Sequence, residues 1–174
     1  LKDTTASYSK VIFLPFLYGS NTHTEAPSCF LGLTATTTKL EMVRSVYEGI
    51  VFSHKQHLDK LEKNLGKRPD VIRISGGGTN SKQWCQIFSD ILNIPVETLE
   101  GSELGGLGGA IASQQAIEKT SLEDTIKKMV RIKDRYEPVE EEHKKYIKKY
   151  EVYQEILKSM DTTFHSLKKL NEEL

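Results

Sequence analysis

The sequence predicts an α/β domain in which strands and helices alternate and successive strands pair in parallel, and a few observations carry that prediction. The β-branched run Val71-Ile72-Arg73-Ile74 stops at Ser75-Gly76-Gly77-Gly78, and an amphipathic segment follows it: strand, turn, helix. Apolar positions Leu40, Val43, Tyr47, Ile50, His54, Leu58, Leu61 and Leu65 step by three and four, the period of a long helix. Short strand-like runs at 11–17 and 95–99 flank these elements, so the alternation holds from Val11 to Glu118.

Residues 11–17 alternate too little to be half-exposed and read as a buried strand, ending in Pro15 and the turn chemistry of Tyr18-Gly19-Ser20-Asn21. A polar loop follows to about Thr38. Thr38 with Glu41 forms the pattern of a capping box at the start of the long helix, and Gly66 followed by Pro69 closes it. After the glycine turn, Trp84, Ile87, Phe88 and Ile91 define the buried side of a second helix, which Asn93 ends before Pro95. Residues 100–109 form a second Gly-rich connection. A helix from 107 to 118 carries Gly108, Gly109, Ala110 and Ala112, small enough to let it lie close to a neighbour.

Beyond Thr120 the composition turns Lys- and Glu-rich, with one helix expected over 122–132 and another starting near Pro138. In the latter, His143, Tyr146, Tyr150, Tyr153, Leu157, Met160, Phe164, Leu167 and Leu174 form a heptad-like seam. Either the first half of such a seam packs back over its own domain, or the helix pairs with another chain. The run Glu140-Glu141-Glu142 against Lys144-Lys145 and Lys148-Lys149 reads as the solvated face of that helix, acidic near its N-terminus as the dipole prefers.

At 174 residues the chain has room for one ordinary domain with appendages. Its 24 basic and 24 acidic residues cancel, so no whole-chain field draws it to nucleic acid or an anionic membrane. Apolar runs such as Val11-Ile12-Phe13-Leu14 are far too short for a transmembrane helix. Cys29 and Cys85 have neither metal-ligand spacing nor disulfide density and read as thiols of a reducing compartment, the cytoplasm. A first residue of Leu rather than Met suggests a piece of something longer.

Among candidate sites the triple glycine comes first. Residues without Cβ let backbone approach a ligand and reach positive φ, and the first amides of the following helix point outward unpaired. A tight turn without a ligand is the alternative. Asn80 and Ser81 stand where a short polar side chain either caps the helix or reaches a ligand. Glu103 with Gly105, Gly106, Gly108 and Gly109 either lines the same crevice or packs helices, and packing is favoured. No Gly-x-x-x-x-Gly-Lys-Ser/Thr loop is present, and the glycines are out of register with Gly-x-Gly-x-x-Gly. His54 and His57 lack the further ligands a metal site needs, and Arg44 with Glu48 has the spacing of an intrahelical ion pair.

Four segments occur in one order. They are Phe13-Leu14-Pro15-Phe16-Leu17-Tyr18-Gly19-Ser20-Asn21; Phe30-Leu31-Gly32-Leu33-Thr34 with Arg44-Ser45-Val46-Tyr47-Glu48-Gly49-Ile50; Ser75-Gly76-Gly77-Gly78-Thr79-Asn80-Ser81-Lys82-Gln83-Trp84-Cys85-Gln86 leading into Ser89-Asp90; and Pro95-Val96 through Glu103 to Leu107-Gly108-Gly109-Ala110. Together they resemble the C-terminal lobe of the FGGY family of carbohydrate kinases, and look closest to its L-xylulose kinase and xylulokinase branches. Gly19-Ser20-Asn21 replaces the Gly-Glu-Arg usual in D-xylulokinases, and positions 36–39 lack the His common in the family's second signature.

The resemblance implies an actin-like (ribonuclease H-like) ATPase lobe, incomplete at its N-terminus, with residues 1–120 as a partial ATP-binding lobe and 121–174 as a C-terminal helical extension. It implies ATP with Mg²⁺ as cofactors, and transfer of the γ-phosphoryl group to a sugar hydroxyl, the expected acceptor being a ketopentose such as xylulose. By carry-over, Gly77 and Ser81 contact adenosine, with Ser81 standing where related members have Asn. The candidate nucleotide contacts are Gly76, Gly77, Gly78, Asn80 and Ser81. The catalytic base, most Mg²⁺ ligands, the β- and γ-phosphate loop and the sugar-binding lobe are expected upstream of the segment matching Leu1. Half a cleft is therefore expected to be inactive by itself, with no catalytic or metal-ligating residue in this chain. The sheet is expected to lack the lobe's first strands, leaving an edge open to another copy. The competing reading is a non-catalytic module that forms a homodimer through its C-terminal helix.

Overall fold

The computed structural model describes residues 1–20, 24–101 and 103–173, so Asn21 and Leu174 lie outside the described residues. Strand β1 (Ile12–Leu14) pairs antiparallel with β2 (Cys29–Leu31), and the Phe13 and Phe30 rings meet across the pair, tilted by 42° with centroids 4.5 Å apart. This corrects the expectation that the first strand spans 11–17 and joins a parallel sheet. Pro15 has no amide for a ladder and ends the strand early, and its partner lies inside a segment expected to be loop.

Helix α1 (Lys39–Leu65) starts at the predicted capping box. The Thr38 hydroxyl accepts from the Glu41 amide at 3.2 Å, and the Glu41 carboxylate accepts from the Thr38 amide at 2.8 Å. It ends at Gly66, left-handed at φ 66°, whose amide donates to the Glu62 carbonyl. The helix is where expected, yet its buried face is not the apolar stripe. Arg44, Ser45, Glu48, Gly49, Val51 and Phe52 are buried, whereas Leu61 and Leu65 are 56% and 66% exposed.

A second sheet has the order β3 (Ile72–Ile74), β4 (Val96–Leu99), β5 (Ile132–Tyr136). β3 and β4 are parallel as predicted, while β5 runs antiparallel to β4 with Arg135 opposite Glu97 and Ile132 opposite Leu99. Helix α2 (Lys82–Leu92) links β3 to β4 and closes at Asn93, left-handed at φ 53°. Helices α3 (Leu104–Glu118) and α4 (Leu122–Met129) separate β4 from β5 and pack on each other. The helix expected over 122–132 thus stops at Met129, because the chain from Ile132 is drawn into the ladder with β4.

The C-terminal seam divides at Met160 into α5 (Glu140–Ser159) and α6 (Asp161–Glu173). Tyr146, Tyr150, Tyr153, Leu157 and Phe164 are buried, and the three tyrosine rings surround Phe52 of α1 at 5.4–6.4 Å. The first half of the seam thus packs on its own domain, while Leu167 near its end is exposed.

A buried polar cluster joins α1 to α5. Arg44 Nε donates to Glu48 at 2.7 Å and Arg44 Nη2 to the Tyr146 hydroxyl at 2.5 Å, while Lys149 Nζ bonds the other Glu48 oxygen and donates to the Ser9 carbonyl at 2.6 Å. Burial pushes the Glu48 carboxyl up and the Lys149 ammonium down from their ordinary ranges, so mutual attraction offsets only part of the desolvation.

Candidate functional site

The glycine turn lies at the carboxyl end of β3, where a strand gives way to a helix and ligands of open α/β sheets are usually held. Ser75 leads into a single 3₁₀ turn over Gly77–Asn80, followed at once by α2. The turn is closed by the Thr79 amide and hydroxyl, which donate to the Gly76 carbonyl at 3.1 and 2.8 Å, and by the Ser81 amide, which donates to the Gly78 carbonyl at 3.1 Å.

Each glycine of the three is present for a different reason. Gly76 has φ 101°, a conformation that L side chains rarely adopt. At Gly78 an added Cβ would overlap the Trp84 ring, so this glycine serves packing. Gly77 has no positive φ and nothing within 4 Å of an added Cβ. Gly77 is exposed, and its missing side chain leaves open space that a ligand can approach. Gly78→Ala is accordingly expected to lose about 1–3 kcal/mol of stability, measured by denaturant unfolding, whereas Gly77→Ala leaves stability within about 0.5 kcal/mol.

The two polar candidates separate in the same way. The Ser81 hydroxyl accepts from the Trp84 amide at 3.3 Å and is the N-cap of α2. Asn80 is exposed, and no described side chain bonds it. Ser81→Ala should therefore cost about 1 kcal/mol of stability through the lost cap. Asn80 and Gly77 present the free polar and free backbone surface of the turn.

Two residues that pattern reading did not connect to the turn shape it. Trp84 covers Gly78, and buried Cys85 points its thiol at the Thr79 carbonyl, 3.7 Å away. Beside the turn lies a cavity of about 450 Å³, lined by Ile72 and Ile74 of β3, Leu58 and Leu61 of α1, and Trp84 and Phe88 of α2. His54 and His57 also line it, and burial, then the neighbouring His57, pulls the His54 imidazole below its usual range.

Glu103 is not brought to this place. It sits at the N-cap position of α3, in a separate recess with Gly101, Leu104, Leu107, Met129 and Arg131. An added Cβ at Gly105, Gly108 or Gly109 meets nothing, so among the described residues these glycines serve no close packing, contrary to the favoured expectation. Arg44 and Glu48 form the predicted intrahelical pair, remote in role from the turn. Among the described residues no group of three His, Cys, Asp or Glu side chains could hold a metal ion. No helix among them is long and apolar enough to cross a membrane.

Comparison with known proteins bears on this geometry. A family model described as the C-terminal domain of the FGGY family of carbohydrate kinases matches residues 2–116. A probable L-xylulose kinase of Pasteurella multocida is 31% identical over 148 residues, covering 85% of this chain and 30% of that protein. The crystal structure of a ligand-bound xylulose kinase from Lactobacillus acidophilus is similar over 90% of this chain and 32% of its own, with 29% identity and a TM-score of 0.81. A Plasmodium falciparum glycerol kinase structure with ADP is similar over 89% of this chain and 31% of its own, with 26% identity and a TM-score of 0.73. The chain thus spans about a third of the length of these relatives.

Proposed function

Because this chain belongs to the FGGY family of carbohydrate kinases, with an actin-like ATPase fold, we propose that it forms the adenosine-side wall of an ATP site. The reaction of the whole protein is then transfer of the ATP γ-phosphoryl group to a sugar hydroxyl. A ketopentose such as xylulose is the proposed acceptor, supported by the xylulose kinases among its relatives.

The observation that carries this reading is the open face of Gly77 beside the positive-φ Gly76, at the end of β3. A nucleoside is flat on one side and rich in acceptors at its edge. Bare backbone lets such a surface approach to van der Waals distance, and the free Asn80 amide can bond a ring nitrogen or hydroxyl. Ser81, committed to the cap as acceptor, positions the turn. Mg²⁺ would neutralise charge on the β- and γ-phosphates, and its ligands, with the base and the sugar-binding lobe, belong to parts of the enzyme other than the described residues. In this reading 1–120 is the partial nucleotide lobe, 121–174 extends it, and the chain by itself is inactive because phosphoryl transfer depends on positioning between two walls.

The competing reading, a module that dimerises through its C-terminal helix, would need the tyrosine face of α5. That face is buried against Phe52 of the same chain.

Titration with ADP, followed by amide shifts at residues 75–81, tests the proposal. Wild-type chain should bind in the millimolar range or tighter, and Gly77→Val should weaken binding about tenfold or more with the unfolding midpoint unchanged. Absence of nucleotide shifts in the wild type, or equal binding by Gly77→Val, would sink it. The acceptor is tested separately, by assaying the enzyme with its other lobe against a panel of ketoses.

A further inference from the structure

The turn that presents Gly77 is closed by hydrogen bonds between its own residues, from Thr79 to Gly76 and from Ser81 to Gly78. Such bonds fix its shape and not its position. Toward the helix behind it, the Cys85 thiol reaches the Thr79 carbonyl at 3.7 Å, and a thiol is a weak donor. Position is left to packing, and one side chain supplies it. An added Cβ at Gly78 would overlap Cζ3 of Trp84 and lie 2.7 Å from Cε3, so the benzo edge of the indole rests directly on the turn.

The next residue toward β3 has the opposite surroundings. Nothing lies within 4 Å of an added Cβ at Gly77. Consecutive Cα atoms are about 3.8 Å apart, so a single peptide unit separates the surface offered to a ligand from the surface resting on Trp84. A displacement of the indole edge therefore meets little backbone that could absorb it before the ligand face.

Trp84 is itself fixed from two helices. Tyr47 of α1 meets it edge-on, with centroids 5.3 Å apart and planes at 77°, and Phe88, one turn along α2, lies at 5.5 Å. Both are favoured geometries for aromatic pairs. Two residues beyond Tyr47, α1 is seated on β1, where Gly49 comes against the Phe13 carbonyl. A contiguous series of packed groups thus runs from α1 through Tyr47 and Trp84 to Gly78, and ends at Gly77.

We propose that Trp84, braced by Tyr47, is a positioning residue of the nucleotide site: it touches no nucleotide, and it sets where the Gly77 backbone meets one. The inference rests on the reading of this turn as the adenosine-side wall. A binding surface made of bare backbone has no rotamers with which to adapt, so its affinity depends on how firmly the residues behind it hold it.

The test is a cycle of ADP titrations, read from the amide shifts of 75–81, on wild type, Trp84→Leu, Gly78→Ala and the double variant, each corrected to its folded fraction. Trp84→Leu withdraws the ring edge and Gly78→Ala drives turn and ring apart, and each should raise Kd about tenfold. In the double variant the added methyl enters space the ring has left. ADP should then bind more tightly than to either single variant, the non-additivity of groups in direct contact. Trp84→Phe keeps an aromatic ring between Tyr47 and Phe88 and should stay within about threefold of wild type, which preserves the test if Trp84→Leu does not fold. Wild-type Kd in Trp84→Leu, losses that simply add in the double variant, or a Trp84→Phe as weak as Gly78→Ala would overturn the positioning role and leave the nucleotide reading standing. No shift of the wild-type chain in millimolar ADP overturns both.

Discussion

Glu48→Ala is expected to cost about 3–5 kcal/mol of folding stability, seen as a lowered denaturant midpoint. The carboxylate is 1% exposed and stands between Arg44 and Lys149, so its removal leaves two cations in the interior with no counter-charge. Lys149→Met is expected to cost less, because Glu48 then keeps Arg44. Equal losses for the two variants would mean that packing, not charge, governs the cluster. The pH dependence has a definite sign. Because burial raises the Glu48 carboxyl in the fold above its ordinary 4.5, its contribution is full below that value and is lost as pH rises through the raised one. The stability difference between wild type and Glu48→Gln should therefore move against wild type as pH increases from about 4.5.

Gly49→Ala should be strongly destabilising, although alanine is the better helix former by about 1 kcal/mol. α1 crosses β1 at this residue, and an added Cβ would overlap the Phe13 carbonyl oxygen and lie 3.1 Å from the carbonyl carbon. Both obstacles are backbone of a buried strand, which has no rotamer to yield, and overpacking of this kind costs about 1–3 kcal/mol or more. Gly105→Ala is the matched control, since α3 leaves open space there. There propensity acts unopposed, and a gain of up to about 1 kcal/mol is expected. Thermal midpoints that moved in the same direction for both variants would overturn this explanation.

Local chemistry accounts for what the sequence revealed well. The capping box at Thr38 and Glu41, the left-handed residues Gly66 and Asn93, and the turn at Gly76 are decided by neighbours within four residues, and each was legible. The short strands were not. Cys29-Phe30-Leu31 has too few residues to show a period, and Ile132-Lys133-Asp134-Arg135-Tyr136 reads as charged rather than strand-like, although its Arg135 pairs with Glu97, a distant partner. Burial on α1 misled for a related reason. Periodicity marks which residues are apolar, but the face against β1 and α5 is filled by a paired Arg44 and Glu48 and by the small Gly49, none of which scores as core. At the site, sequence located the glycines and the two polar candidates, while their separate roles depended on Trp84 lying over Gly78.

The packing of α5 on α1 also constrains how the chain reaches its native state. Phe52 meets Tyr146, Tyr150 and Tyr153, and Arg44 bonds Tyr146 across 102 positions of sequence. Contacts so distant close a long loop before they return any energy, which raises contact order and slows folding. During synthesis the interior of α1 stays unsealed until the residues of α5 have left the ribosome. Nascent chains halted before Tyr146 would therefore present Phe52 and the Arg44–Glu48 pair to solvent, as substrates for chaperones rather than as a finished core.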